Sequence, residues 1–107
     1  MKRIVPVSVH GVGLDPSTKD FVVILKDDQG NRWLPIYIGP FEAQAISLEL
    51  ENIKPPRPLT HDLMRNMLQT LGIGVSRVVI TEIHDNTFFA KVGLRGNNIR
   101  LDIDARP

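Results

Sequence analysis

Cysteine is absent from all 107 residues, so disulfides and cysteine-ligated zinc are excluded. Long apolar runs are absent too. The longest, Phe21-Val-Val-Ile-Leu25, is far short of the ~20 residues of a membrane helix, so no membrane partner is expected. Met1-Lys-Arg-Ile-Val-Pro6 carries two charges but lacks the apolar stretch of a signal peptide, and a cytoplasmic location is the expectation. Neither sign of charge dominates: 13 basic residues against 12 acidic leave +1. Nucleic-acid binding commonly shows as a basic excess on one face, so any such excess here must be local. Aromatics are few, with one Trp, one Tyr and four Phe. Trp33 and Tyr37 share a strand face and could stack bases, although such residues more often serve core or interface. There is no H-E-x-x-H, Walker loop or G-x-S-x-G. None of the four serines (8, 17, 47, 76) stands in a nucleophile context.

What is present reads as one domain over 1–107, of a size that supports one modest core. Residues 3–10 alternate as a half-buried strand, with Pro6 marking an edge or a bulge, and His10 to Pro16 reads as loop. A second strand spans 20–26, Asp27-Asp-Gln-Gly-Asn31 is a hairpin turn, and a third strand runs from Arg32 to Ile38. Gly39 caps a helix with Pro40 at its first position, reaching about Ile53. Lys54-Pro-Pro-Arg-Pro58 is a stiff connector. Thr60 caps a second helix, with Leu59 and Met64 at the spacing of a hydrophobic staple. Its apolar stripe is Leu63, Met64, Met67, Leu68 and Leu71, and Gly72 ends it. Strands follow at 75–84, 87–95 and 98–105, with turns at Asp85-Asn86 and Gly96-Asn97. The predicted class is α+β, a mostly antiparallel mixed sheet of about six strands with two central helices: three strands, two helices, three strands. No repeat, and no linker rich enough to divide the domain, is present.

Both helix starts are natural anion sites, because free N–H groups and partial positive charge gather there. Each also holds a carboxylate in its first turn, Glu42 and Asp62. Glu42 and Glu49 lie nearly on one line with apolar neighbours on both sides. Partial desolvation is therefore expected, and a metal or an arginine would offset its cost. The plain alternative for Glu42 is a bond back to the Gly39 N–H. His61 and Asp62 are adjacent and diverge by ~100°, so no His–Asp pair is expected between them. The positive end of a helix disfavours an imidazolium, which makes His61 a candidate base; an exposed first-turn histidine is the alternative. On the last strand, Ile99, Leu101, Ile103 and Ala105 are expected to face the core. Arg100, Asp102, Asp104 and Arg106 face away, as a metal-holding row or as a solvated one.

Three motifs carry a resemblance: Leu34-Pro-Ile-Tyr-Ile-Gly-Pro-Phe-Glu-Ala-Gln-Ala-Ile46, Pro55-Pro-Arg-Pro-Leu-Thr-His-Asp-Leu63 and Asp102-Ile-Asp-Ala-Arg-Pro107. In order and spacing they resemble the bifunctional nuclease family, over essentially the whole chain. The resemblance implies degradation of DNA and RNA. The polar positions matching its motifs are Glu42, Gln44, Arg57, Thr60, His61, Asp62, Asp104 and Arg106. The family pattern continues past Asp-Ala-Arg-Pro with Ser-Asp-Ala-Ile and a helix, which this chain lacks. An uncovered sheet face, and a second subunit to cover it, are therefore expected.

Two readings follow. In the first, a metal-assisted nuclease, Glu42, Asp62 and Asp104 hold Mg²⁺ or Mn²⁺. Glu42, His61 and Asp62 are catalytic, His61 as the acid or base, and Arg57, Thr60 and Arg106 bind the substrate phosphate. In the second, the chain is a non-catalytic binding or assembly module, a homo-oligomer built on the two apolar sides of its first helix. A small anionic ligand at the Arg57–Thr60 helix end is a third option.

Overall fold

The computed structural model describes residues 4–107. Its elements are β1 (Val7–Leu14), β2 (Phe21–Asp27), β3 (Trp33–Ile38), α1 (Pro40–Leu50), α2 (Thr60–Thr70), β4 (Gly74–His84), β5 (Thr87–Gly96) and β6 (Ile99–Ala105). The class is α+β, three strands, two helices and three strands, as expected. The strands form two antiparallel meanders, β1-β2-β3 and β4-β5-β6. The chain divides into two compact units, Met1–Lys54 and Pro55–Pro107. The division falls inside the proline-rich connector, where prolines deny the backbone both helix and ladder bonds.

In the first unit, β1 starts after Pro6 and runs through Gly11 and Gly13 to Leu14, whereas the sequence reading ended it at His10. Part of that reading, Arg3, lies outside the described residues. The pairing register shifts between Val9 and Gly11, leaving His10 as the extra residue of a bulge. A bulge lets the ladder continue across a break in the alternation, which is why the pattern hid the second half. Val23 and Ile36, paired across β2 and β3, form the core with Ala43 of α1. The small Ala43 side chain lets the helix lie close to the sheet. At the hairpin, buried Asp27 Oδ2 accepts Arg32 Nε at 3.0 Å and Nη2 at 2.7 Å, while Oδ1 accepts the Gln29 N–H at 3.0 Å.

Helix α1 has Gly39 as its extended N-cap and Pro40 at N1. It ends at Leu50, short of the expected Ile53. Asn52 turns left-handed at φ 57°, and the Ile53 and Asn52 N–H groups reach back to the Leu48 and Glu49 carbonyls. That satisfies the free carbonyls of the last turn, with asparagine in the place glycine usually takes.

In the second unit, α2 begins one residue earlier than predicted. Leu59, not Thr60, is the N-cap, and the Asp62 carboxylate accepts the Leu59 N–H at 3.0 Å. The acid at N3 does the capping, and the Leu59–Met64 staple spacing is lost by that one-residue shift. Gly72 ends the helix at φ 75°, with Ile73 N–H on Leu68 O and Gly72 N–H on Gln69 O. The first hairpin turn is Asp85-Asn86, both at positive φ as a two-residue turn of this hand requires. The second is Asn97-Asn98, one residue later than predicted, because Gly96 pairs with Ile99. Bulges fall between Val75 and Arg77 and between Ile80 and Glu82.

Ile99, Leu101 and Ile103 share a sheet face but do not form a core: Leu101 is 57% exposed and Ile103 46%. On α2, Met64 is 62% exposed and Leu71 73%. Both apolar faces exist as the alternation and helix period dictate, yet neither is covered within the second unit. Periodicity assigns a face; it does not supply what covers it.

Candidate active site

The start of α2 gathers three ionisable side chains. The Lys54–Pro58 stretch bends at Pro56 and Arg57 where an extended connector was expected, and it leads to Leu59 as N-cap, which puts Thr60 at N1, His61 at N2 and Asp62 at N3. Asp62 Oδ2 is held by the Leu59 N–H. Its Oδ1 lies 3.4 Å from His61 Nε2 and 3.7 Å from an Arg65 terminal nitrogen. His61 and Asp62 therefore do meet, contrary to the expectation from their ~100° divergence. The wheel separates Cβ atoms, whereas a free helix end lets two flexible tips swing together. The Asp62 side chain is 18% exposed and that of His61 51%, so the carboxylate is shielded and the imidazole faces solvent. An imidazole that turns Nε2 to a carboxylate presents Nδ1 outward as a base. Arg65 is the residue the sequence reading left out of the site. Its signal was the i,i+3 spacing from Asp62.

The other predicted residues are divided between the two units. Glu42, in the first unit, folds its carboxylate back over Gly39, into the space a Cβ would take there. It is exposed, as is Glu49, so the expected desolvation is not met within the first unit. Gln44 is exposed on the same helix. In the second unit Arg57 and Thr60 are exposed at the α2 entrance. Asp104 lies on β6, 3.8 Å from Lys91 Nζ on the neighbouring strand. Arg106 follows the strand, exposed. Within neither unit do three or more His, Asp or Glu among the described residues gather closely enough to hold a metal ion.

Unit one holds a second polar group. Asp15 accepts the Ser17 hydroxyl at 2.7 Å, the Ser17 N–H at 3.0 Å and the Tyr37 hydroxyl at 2.8 Å. The Ser17 hydroxyl, then Tyr37, holds the Asp15 carboxyl down at about 2, and the bond to Asp15 pushes the Tyr37 phenol up. This ties the loop after β1 to β3. It also occupies Tyr37's hydroxyl while leaving its ring exposed beside the loop. Trp33 is flanked by His10 at 4.7 Å and Lys26 at 5.0 Å.

Two antiparallel meanders separated in sequence by a helix pair, with an imidazole beside a carboxylate where the second helix begins, define the class as an α+β domain and mark its candidate site. The chain belongs to the bifunctional nuclease domain family, which its residues 23–107 match. An uncharacterized protein of Mycobacterium tuberculosis is 40% identical to it over 101 residues, covering 94% of this chain and 60% of the relative. Bifunctional nuclease 1 of japonica rice is 29% identical over 94 residues, covering 83% of this chain and 28% of the relative. A bifunctional nuclease of Oryza minuta matches to the same extent. The chain thus spans 60% of the mycobacterial relative's length and a smaller part of the rice proteins'. Among the described residues no helix is long and apolar enough to cross a membrane.

Proposed function

We propose that this chain is a nuclease that hydrolyses phosphodiester bonds of DNA and RNA in the cytoplasm. The observation that carries the reading is the His61–Asp62 contact at the start of α2, in a chain of the bifunctional nuclease domain family. Asp62, fixed by the helix cap, orients the imidazole. His61 Nδ1 takes a proton from a water whose oxygen bonds to phosphorus, the P–O bond on the opposite side breaks, and the leaving oxygen takes a proton from solvent water. Arg57 and the Thr60 hydroxyl, at the positive helix end, take the phosphate oxygens, with Arg106 as a further phosphate ligand. Mg²⁺ or Mn²⁺ is the proposed cofactor. Such ions are commonly held by one or two carboxylates together with substrate phosphates, and Asp62 and Asp104 of the second unit are the proposed ligands. The residues of neither unit build a cage by themselves, so the proton steps above do not depend on one. When bound, the ion would supply neutralisation of phosphate charge.

The test is cutting of single-stranded DNA and RNA by the purified chain with Mg²⁺, Mn²⁺ or Ca²⁺. His61→Ala should lower the rate by about 100-fold or more, the usual worth of general acid–base catalysis. No cutting with any of the three ions overturns the reading. Equal cutting by His61→Ala removes His61 from the mechanism, and equal cutting by the Glu42→Gln, His61→Ala double variant points to a contaminant.

A second reading, assembly into a homo-oligomer, is favoured by the open apolar faces of α2 and β6. Sedimentation showing only monomer at high concentration overturns it.

A further inference from the structure

The second unit carries a cleft of about 310 Å³ on its sheet, and its lining includes Ser76, Arg77, Gly93, Arg95, Arg100 and Asp102. Register explains how it forms. Arg77, Gly93 and Asp102 stand in one row across β4, β5 and β6, and Arg95 and Arg100 face each other in the next row on the same side. The bulge at Ser76 breaks the alternation, so its hydroxyl joins the same face as Arg77. Gly93 is the floor: it is buried, and a Cβ on it would lie 2.7 Å from Ser76 Oγ. The cleft exists because that residue has no side chain.

Charge then selects the occupant. Three guanidiniums face one carboxylate in the lining, on a chain whose net charge is only +1. Among the described residues no carboxylate lies in ion-pair contact with Arg77, Arg95 or Arg100. Like charges directly across a strand pair destabilise a sheet, and Arg95 and Arg100 are such a pair. An anion between them removes that cost. Guanidinium forks and a hydroxyl around a glycine floor match the oxygens of a phosphate diester.

We infer that the Ser76–Arg77–Arg95–Arg100 cleft binds the phosphodiester backbone of a nucleic-acid strand. The choice of a nucleic-acid strand over a free phosphate rests on the nuclease reading; the cleft's preference for an anionic phosphate does not.

Fluorescence anisotropy with labelled oligo-dT and oligo-U, in EDTA so that no metal-dependent cutting intervenes, tests the inference. Wild-type affinity should fall steeply with salt. Arg95→Gln with Arg100→Gln should weaken binding about tenfold or more at low salt. It should also flatten the salt slope by about 1.4, roughly 0.7 for each lost phosphate contact to a single strand. Gly93→Ala, which crowds Ser76, should weaken binding as well. Lys19→Gln, in a loop of the first unit, should leave it unchanged. Circular dichroism melting checks that each variant is folded. Unchanged affinity and slope in the double arginine variant overturn the inference, and the nuclease reading then stands on His61 alone. Inorganic phosphate bound at these arginines with neither oligonucleotide bound overturns it too, as does capture of an acidic peptide in preference to both oligonucleotides. Salt-dependent binding through the arginines in a chain that cuts nothing upholds the inference and rejects the nuclease reading.

Discussion

The two helix starts look alike on paper and behave differently in space. Each follows an extended residue, each has a carboxylate at N3, and each helix later ends on a left-handed residue that closes its carbonyls. At α1 the longer Glu42 overshoots the cap N–H and lies over Gly39. At α2 the shorter Asp62 reaches the Leu59 N–H and keeps its other oxygen for His61 and Arg65. One methylene, and the neighbours it meets, separates a carboxylate that lies over a glycine from one that meets a histidine and an arginine.

That contrast is broken or sharpened by substitution. The largest effect is expected at Asp62. Asp62→Asn keeps an oxygen for the cap but gives up the ionic contact to His61, so cutting should fall by about 10-fold or more while folding is retained. A folded variant that cuts at the wild-type rate removes Asp62 from the mechanism. Asp62→Ala should cost about 0.5–2 kcal/mol in urea unfolding, the usual worth of a lost cap, against less than about 0.5 kcal/mol for Glu42→Ala. Equal losses would erase the distinction between the two ends.

The C-terminal ends carry the comparison further. Gly72→Ala should cost about 1–2 kcal/mol, because φ 75° crowds a Cβ. Asn52→Gly should be neutral to slightly stabilising, since asparagine already tolerates that conformation at some cost. The smallest effect lies in the first unit and is read by titration. Tyr37 is the chain's one tyrosine, so its phenolate absorbance is unambiguous. It should ionise above the ordinary phenol range and return to it in Asp15→Asn. The signs are opposite for the two partners. The lowered Asp15 value means its bonds stabilise the fold above the ordinary carboxyl range and are lost as pH falls toward about 2. The raised Tyr37 value means its bond is present at neutral pH and lost as pH rises through that value. An acid unfolding limb unchanged by Asp15→Asn would deny this contribution.

Much of the fold was legible because it is written in short-range rules. Pro40 after Gly39, Gly72 after the apolar stripe and Asp85-Asn86 between two strands each force one local geometry. The bulges were not legible. His10, Ser76 and Thr81 sit at or beside register shifts, and a bulge is set by the partner strand, which alternation along one strand does not report. At the site, His61 and Asp62 were legible as residue types at a helix start, but their contact was not, since it depends on rotamers at a free end. The arginine cleft was hidden altogether. Arg77, Arg95 and Arg100 lie on three strands, and only their pairing through Gly93 brings them to one face.

By itself the sequence determined the order of elements, the apolar side of each strand and helix, and the chemistry available at each motif. These depend on backbone sterics, capping and periodicity over a few residues. Tertiary structure alone decided that the six strands form two meanders, that Asp62 rather than Thr60 caps α2, and that three separate arginines line one cleft. Those outcomes depend on cross-strand register and on where flexible side-chain tips find a partner, distances that no spacing along the chain encodes.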